Sequence, residues 1–221
     1  MRVTAQKKAE TRERIVAEAL QLFEKKGFAD TTTRDIARAA GIATGTMFNY
    51  FDSKEALAMT VFADVLKTAG TEVQQRLTGC ESIAEALFAF ITTGLRHLDP
   101  HRRYVGEVYE NTMTPFAIPG ACAEADAVRQ THLETVWQLV VARAGQCTRA
   151  LDDFEILTSH LYWSLYLAVV AFWSRDDSPN QEDTLAMLDR TTRLFAQSLN
   201  VEDTDYPPNQ QDAELSTPEM E

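Results

Sequence analysis

Along most of this chain, apolar side chains return at intervals of three and four residues. Where each stripe ends, a glycine or a proline stands. That spacing places one apolar face on an α-helix and cannot line one face of a strand, whose period is two. No run of alternating apolar and polar residues interrupts it, so the expected fold is all-α. The first helix is read at Thr11–Lys26, where Ile15, Ala19, Leu22 and Phe23 share a stripe and Gly27 follows as a left-handed cap. A second helix runs to Ala40 from a capping box of Thr32 with Asp35, and Gly41 stops it. A third, Thr44–Phe51, is followed at once by a long fourth that opens on Ser53 and reaches Leu77. Five more fall at Ser82–Leu98, His101–Asn111, Gly120–Arg143, Asp152–Arg175 and Asn180–Leu199, making about nine in all. Pro100, Pro115, Pro119 and Pro179 fall between them.

Charge divides the chain more sharply than composition does. The formal net charge is −12, which by itself argues against a nucleic-acid partner. Yet residues 1–54 carry ten Lys and Arg against seven Asp and Glu. A basic head on an acidic body lets one end approach phosphates. The expected organisation is a three-helix head at 1–54, a helical body at 55–199 and an acidic tail at 200–221. That tail holds seven acids and three prolines and is expected to be disordered.

The first ten residues are polar and basic, unlike a secretory signal. The longest apolar stretch, Leu161–Trp173, is too short to span a bilayer. A cytoplasmic location without membrane contact is the expectation. Cys80, Cys122 and Cys147 are an odd, widely spaced set and read as reduced and structural.

Residues 33–51 have the layout of a helix-turn-helix, which lays one helix in a DNA major groove. Thr44, Gly45, Thr46, Asn49 and Tyr50 are small or hydrogen-bonding residues, suited to base edges and phosphates, while Met47 and Phe51 are expected to face inward. By spacing alone, an ordinary helical hairpin with a polar face fits equally well.

The order of residues across 11–57 says more. Thr11-Arg12-Glu13-Arg14-Ile15, Ala19-Leu20-Gln21-Leu22-Phe23, Gly27-Phe28, Thr31-Thr32-Thr33-Arg34-Asp35-Ile36-Ala37, Ala40-Gly41-Ile42, Gly45-Thr46-Met47-Phe48-Asn49-Tyr50-Phe51 and Lys54-Glu55-Ala56-Leu57 together resemble the TetR family of bacterial regulators. The resemblance implies a homodimer that binds double-stranded operator DNA through residues 44–51. It also implies repression, relieved when the body binds a small molecule. Phosphate contacts would then fall on Thr33, Thr46, Tyr50 and Lys54, and groove-facing positions on Arg34, Thr44, Gly45, Phe48 and Asn49. Lys54 also stands at a helix start that attracts phosphate. Lys7, Lys8 and Arg12 are either additional contacts or a solubilising basic tail. Two positions depart from the family pattern. Ala43 replaces the usual Ser or Thr, which passes the capping role to Thr44. Phe48 replaces the usual Tyr and loses a hydroxyl.

In the body, Phe88, Tyr104, Tyr109, Met113, Phe116, Trp137, Tyr162, Trp163 and Tyr166 are candidates for lining an effector pocket, although each taken singly reads as core. The link Thr112–Gly120 is a candidate gate. His132 and His160 read as core histidines, and Arg102, Arg103 and Arg129 leave room for an acidic group on a largely apolar effector. The last two helices carry stripes at Phe154, Leu157, Leu161, Leu165 and Phe172, and at Leu185, Leu188, Phe195 and Leu199. These either close the protomer's own core or build a four-helix bundle with a second copy. No histidine has a glutamate three residues before it, and no phosphate loop, nucleophile elbow or zinc spacing occurs. The chain is therefore not expected to be an enzyme or to carry a metal or cofactor. A ligand carrier or interaction module on the same fold is the remaining rival.

Overall fold

The computed structural model describes residues 5–114, 120–143 and 155–199. Among the described residues the elements are α1 (Ala5–Lys26), α2 (Thr33–Ala39), α3 (Thr44–Met47), α4 (Lys54–Arg76), α5 (Ile83–Leu98), α6 (Arg102–Thr112), α7 (Ala123–Val141), α8 (Glu155–Trp173) and α9 (Glu182–Ser198). Short 3₁₀ turns lead into α6 and α9, and no strand is present among the described residues. Phe116, Cys147, Phe154, the Pro115–Pro119 stretch and the tail from residue 200 lie outside the described residues.

The local signals explain most boundaries. Thr32 accepts from the Asp35 backbone and receives the Asp35 carboxylate on its own N–H, closing the capping box of α2. Ser53 accepts from Ala56 N at 3.0 Å to start α4, and Ser82 with Glu85 forms a second box on α5. Gly27 and Gly41 take φ of +89° and +66°, the left-handed region that lets α1 and α2 stop within one residue. α1 begins earlier than its apolar stripe, at Ala5, because residues 5–10 are good helix formers and Thr11 Oγ1 donates to the Lys7 carbonyl at 2.8 Å. Lys7 and Lys8 therefore belong to the first helix.

α1, α2 and α3 close on Ile15, Ala19, Phe23, Ile36, Met47 and Phe51. Arg14 Nε donates to the Ala40 carbonyl at 2.9 Å, and Lys26 pairs with Asp35 at 2.8 Å. The hydrogen bond from Lys26, then those from Thr32, hold the Asp35 carboxyl well below the usual carboxylate range. This small core runs without a break into that of the body through Leu57, Met59 and Phe62 on α4.

α6 ties the two ends of the molecule together. On one side the Phe23 and Tyr104 rings lie 5.4 Å apart, Arg103 donates to the Glu24 carbonyl at 3.0 Å, and Ala29 N donates to Glu107 at 3.0 Å. On the other, Arg102 donates to the carbonyls of Trp173 and Asp176 beyond α8. The body itself is α4 packed on α5, α6 and α7, with α9 across α5 and α8.

α8 is the most apolar helix. Ile156–Trp173 has a mean hydropathy of 1.4 and is long enough by length and composition to cross a membrane. It exceeds the apolar stretch read from the sequence because it continues through Ile156 and Leu157 on the far side of His160, and His160 and Ser164 bond back to the helix carbonyls of Ile156 and His160. Its inner face nevertheless sits in the core through Tyr162, Trp163, Tyr166, Val169, Val170 and Trp173. Its outer face leaves Leu157 67% and Leu161 44% exposed, together with Ile156 and Phe172. The stripe expected on α9 divides differently. Leu188 and Phe195 are buried in the protomer's own core, Leu185 and Leu199 are half-buried, and Leu194 is the one that faces outward. His160, expected in the core, is exposed, and Cys80 is exposed as well.

Candidate nucleic-acid interface

α3 is a four-residue helix, shorter than the 44–51 span read from the sequence. Beyond it, tight turns take over: Asn49 N bonds to Thr46 O at 3.1 Å, and Tyr50 N to Met47 O at 2.9 Å. The chain must then leave helical geometry, since Ser53 is held extended as the cap of α4. Thr44 is not the cap. Ala43 holds that place in an extended conformation with no side-chain hydrogen bond, because Thr44 already has helical geometry and a cap must stand outside it. Met47 and Phe51 are buried, and the Arg12 guanidinium lies 5.0 Å from the Phe51 ring. α3 is thus pinned from below while its upper face stays open.

That open face carries Gly45, Phe48 and Asn49, all exposed, with Thr44, Thr46 and Tyr50 half-buried beside them. Arg34 is exposed on α2, and Thr33 is half-buried at its first turn. An added Cβ on Gly45 would meet no atom of the protein within 4 Å, and its backbone is not left-handed. The fold has no need of glycine there. Lys54, the expected phosphate contact at the start of α4, also has partners inside the fold. Its Nζ donates to the carbonyls of Phe28 (2.7 Å) and Ala29 (3.2 Å) and lies 4.4 Å from the Phe28 ring centroid. It fastens α4 to the turn after α1.

In the body, most of the aromatic candidates are buried, while Phe88 and Trp137 each border a surface hollow. Tyr104, Tyr109, Met113, Tyr162, Trp163 and Tyr166 are buried in the shared core; Phe88 and Trp137 are half-buried against it. Arg102 and Arg103 are committed to backbone carbonyls, and Arg129 stacks 5.4 Å from the Trp163 ring. Arg129 also borders a surface hollow between α7 and α8, next to Leu133 and Trp137. The clearest hollow, about 430 Å³, lies between α4, α5 and α7. Ala63, Leu66 and Gly70 line it, with Phe90, Val128 and His132, and Asp64, Lys67, Thr71 and Gln74 edge it. Composition signalled it only indirectly. Ala63, Gly70 and Thr71 are small residues on one face of α4, and small side chains leave space that aromatics fill.

His132 closes the inner wall. It is buried, shares a 2.8 Å hydrogen bond with the Tyr162 hydroxyl and stacks 4.2 Å from Tyr166. Burial pushes its imidazole down from 6.5 to about 3. The folded protein keeps this ring neutral where the unfolded chain would protonate it. Its contribution is complete above pH 6.5 and is lost as pH falls toward 3. At pH 5 the penalty is about 2 kcal/mol. His101, lowered by burial as well, acts in the same direction. Carboxylates such as Glu72, pulled down to about 2 by hydrogen bonds from His97 and Arg96, respond only at lower pH. Thermal unfolding of His132→Gln compared with the parent should show the gap between them closing between pH 7 and 5. A constant gap would show that His132 titrates normally.

Comparison with known proteins agrees with this layout. The family model for bacterial regulatory proteins of the tetR family matches residues 15–61, and that for the tetracyclin repressor-like C-terminal domain matches residues 86–205. An uncharacterised HTH-type regulator of Bacillus subtilis, YvkB, is 34% identical over 198 residues, which cover 87% of this chain and 98% of that protein. The chain belongs to the TetR family. It is a transcriptional regulator with an N-terminal helix-turn-helix and a helical C-terminal domain. KstR2 of Mycolicibacterium smegmatis, a transcriptional repressor, is 30% identical over 108 residues, about half of each chain (49% and 52%). Among solved structures, the TetR-family repressor FadR of Thermus thermophilus, in complex with lauroyl-CoA, aligns with a TM-score of 0.62 at 21% identity. The alignment covers 90% of this chain and all of that one. A TetR regulator from Rhodococcus sp. RHA1 aligns with a TM-score of 0.64 at 19% identity, covering 88% of this chain and all of that one. Both likenesses concern the fold.

Proposed function

We propose that this TetR-family protein is a ligand-responsive repressor. In this reading it is a cytoplasmic homodimer that holds a palindromic operator and releases it when a small, largely apolar molecule binds. Residues 1–54 read the DNA, residues 55–199 bind effector and partner, and residues 200–221 are an acidic tail. The observation that carries the reading is α3: a pinned helix whose open face bears a glycine that the fold does not require. Thr33, Arg34, Thr44, Thr46, Asn49 and Tyr50 surround it as contacts for phosphates and bases. Lys54 acts by holding α4 in place.

The outward apolar residues of α8 and Leu194 of α9 support a four-helix bundle between two copies. The hollow between α4, α5 and α7 supports an effector site. It adjoins the same helix that Lys54 fastens to the reader, so an occupant that favours one tilt of α4 also favours one spacing of the two reading helices. The bound lauroyl-CoA of the Thermus repressor supports an effector with a long apolar part.

The test is a selection of duplexes with the full-length protein, followed by titration of the recovered site at several salt concentrations. A palindrome should emerge. With six or more phosphates neutralised, affinity should fall about a thousandfold or more between 50 and 200 mM salt. An effector found by thermal shift should bind more weakly in the presence of that duplex, by the same factor by which it weakens DNA binding. Binding insensitive to salt would end the proposal.

A further inference from the structure

Phe48 is an aromatic ring placed where the fold has no use for it. It is 48% exposed, while Met47 before it and Phe51 beyond are buried. Its backbone N–H caps α3 through the Thr46 carbonyl, which sets the ring on the open face. Gly45 precedes it by three residues on that face, and a Cβ there would meet no protein atom. The ring therefore stands beside bare backbone, with Asn49 exposed next to it and Arg34 exposed on α2. Bare backbone admits another surface to close range, and the basic residues of the head favour a polyanion.

A phenyl ring has neither donor nor acceptor, so Phe48 cannot hold a phosphate or bond a base edge. In the major groove the one apolar group on any base is the C5-methyl of thymine. Resting on the DNA-binding reading above, we propose that Phe48 is a specificity-determining residue that packs on the methyl group of a thymine in each operator half-site. Asn49, with a donor and an acceptor, serves the neighbouring base edge, while Phe48 serves shape and apolar contact. The two adjacent side chains then read different chemistry on adjacent pairs.

The test uses the full-length protein and the duplex recovered from a randomised library. Each thymine is replaced in turn by uracil, in both half-sites together, which removes the methyl and nothing else. Burial of one methyl group corresponds to about fourfold in affinity, so the doubly substituted duplex should bind the parent protein about 15-fold more weakly at one thymine position. At that position Phe48→Ala should lose less than twofold, and Phe48→Leu should fall between the two. Unchanged thermal unfolding of both variants separates lost contact from lost fold. Uracil tolerated by the parent at every position, or felt equally by Phe48→Ala, overturns the assignment. A library from which no duplex is enriched overturns the DNA-binding reading itself, and so is distinguishable from failure of the Phe48 assignment alone.

Discussion

Gly45→Ala is expected to make the protein more stable and operator binding far weaker. The two effects have opposite signs for one reason. Gly45 sits in helical backbone with no protein atom within 4 Å of where a Cβ would stand. Alanine there restricts the unfolded chain and favours the helix by about 0.5–1 kcal/mol, which corresponds to a rise in unfolding temperature of about 1–3 °C. The same methyl group projects from the open face of α3, into the space that a major groove would fill. Forcing a methyl into a packed contact costs about 1–3 kcal/mol, so each half-site should lose about 5- to 150-fold in affinity. Thermal unfolding and duplex titration on the same preparation check both halves. A variant that is stabilised yet binds normally would show that α3 does not approach DNA closely. A destabilised variant would show that the fold needs this glycine after all.

The second large effect concerns α8. Leu161 is 44% exposed in the protomer, beside Leu157 and Phe172. A carboxylate at position 161 should therefore leave the protomer's core untouched, but in a two-fold bundle it appears twice in a dry interface with no partner. Leu161→Asp is expected to yield a particle of 24.8 kDa in place of one twice that mass, with helix content unchanged. Operator affinity should fall by about 10²–10⁴, because each monomer then holds one half-site and the second contact is no longer intramolecular. Sedimentation and duplex titration read the two outcomes. An unchanged mass would move the interface away from α8, and loss of helix would show that Leu161 supports the protomer instead.

The residues that were legible in advance are those whose role is local. The capping box of Thr32 and Asp35, the Ser53 cap, the left-handed glycines 27 and 41, and the inward Met47 and Phe51 all depend on neighbours within a few positions. So does the division of polar and apolar residues around each helix. These features specify an all-helical chain with a helix-turn-helix at its start, and the run of matching residues from Thr11 to Leu57 pointed to the family that the comparisons bear out.

What the tertiary structure decided is how shared faces are allotted. Leu157 and Leu188 both read as stripe residues, yet one faces outward and the other is fully buried, because α9 lies across α5 while one side of α8 is left uncovered. The resemblance and its place at a helix start both mark Lys54 as a phosphate contact, but only folding brings the carbonyls of Phe28 and Ala29 within its reach as well, 26 and 25 residues away in the chain. The hollow between α4, α5 and α7 has no sequence signal of its own, because its walls come from three helices. Large side chains fill the volume they are given, and space is left where Ala63 and Gly70 of α4 face Val128 and His132 of α7. Periodicity shows which side of a helix is apolar. It cannot show whether a neighbouring helix, a ligand or a second chain covers that side, since all three satisfy the same hydrophobic demand.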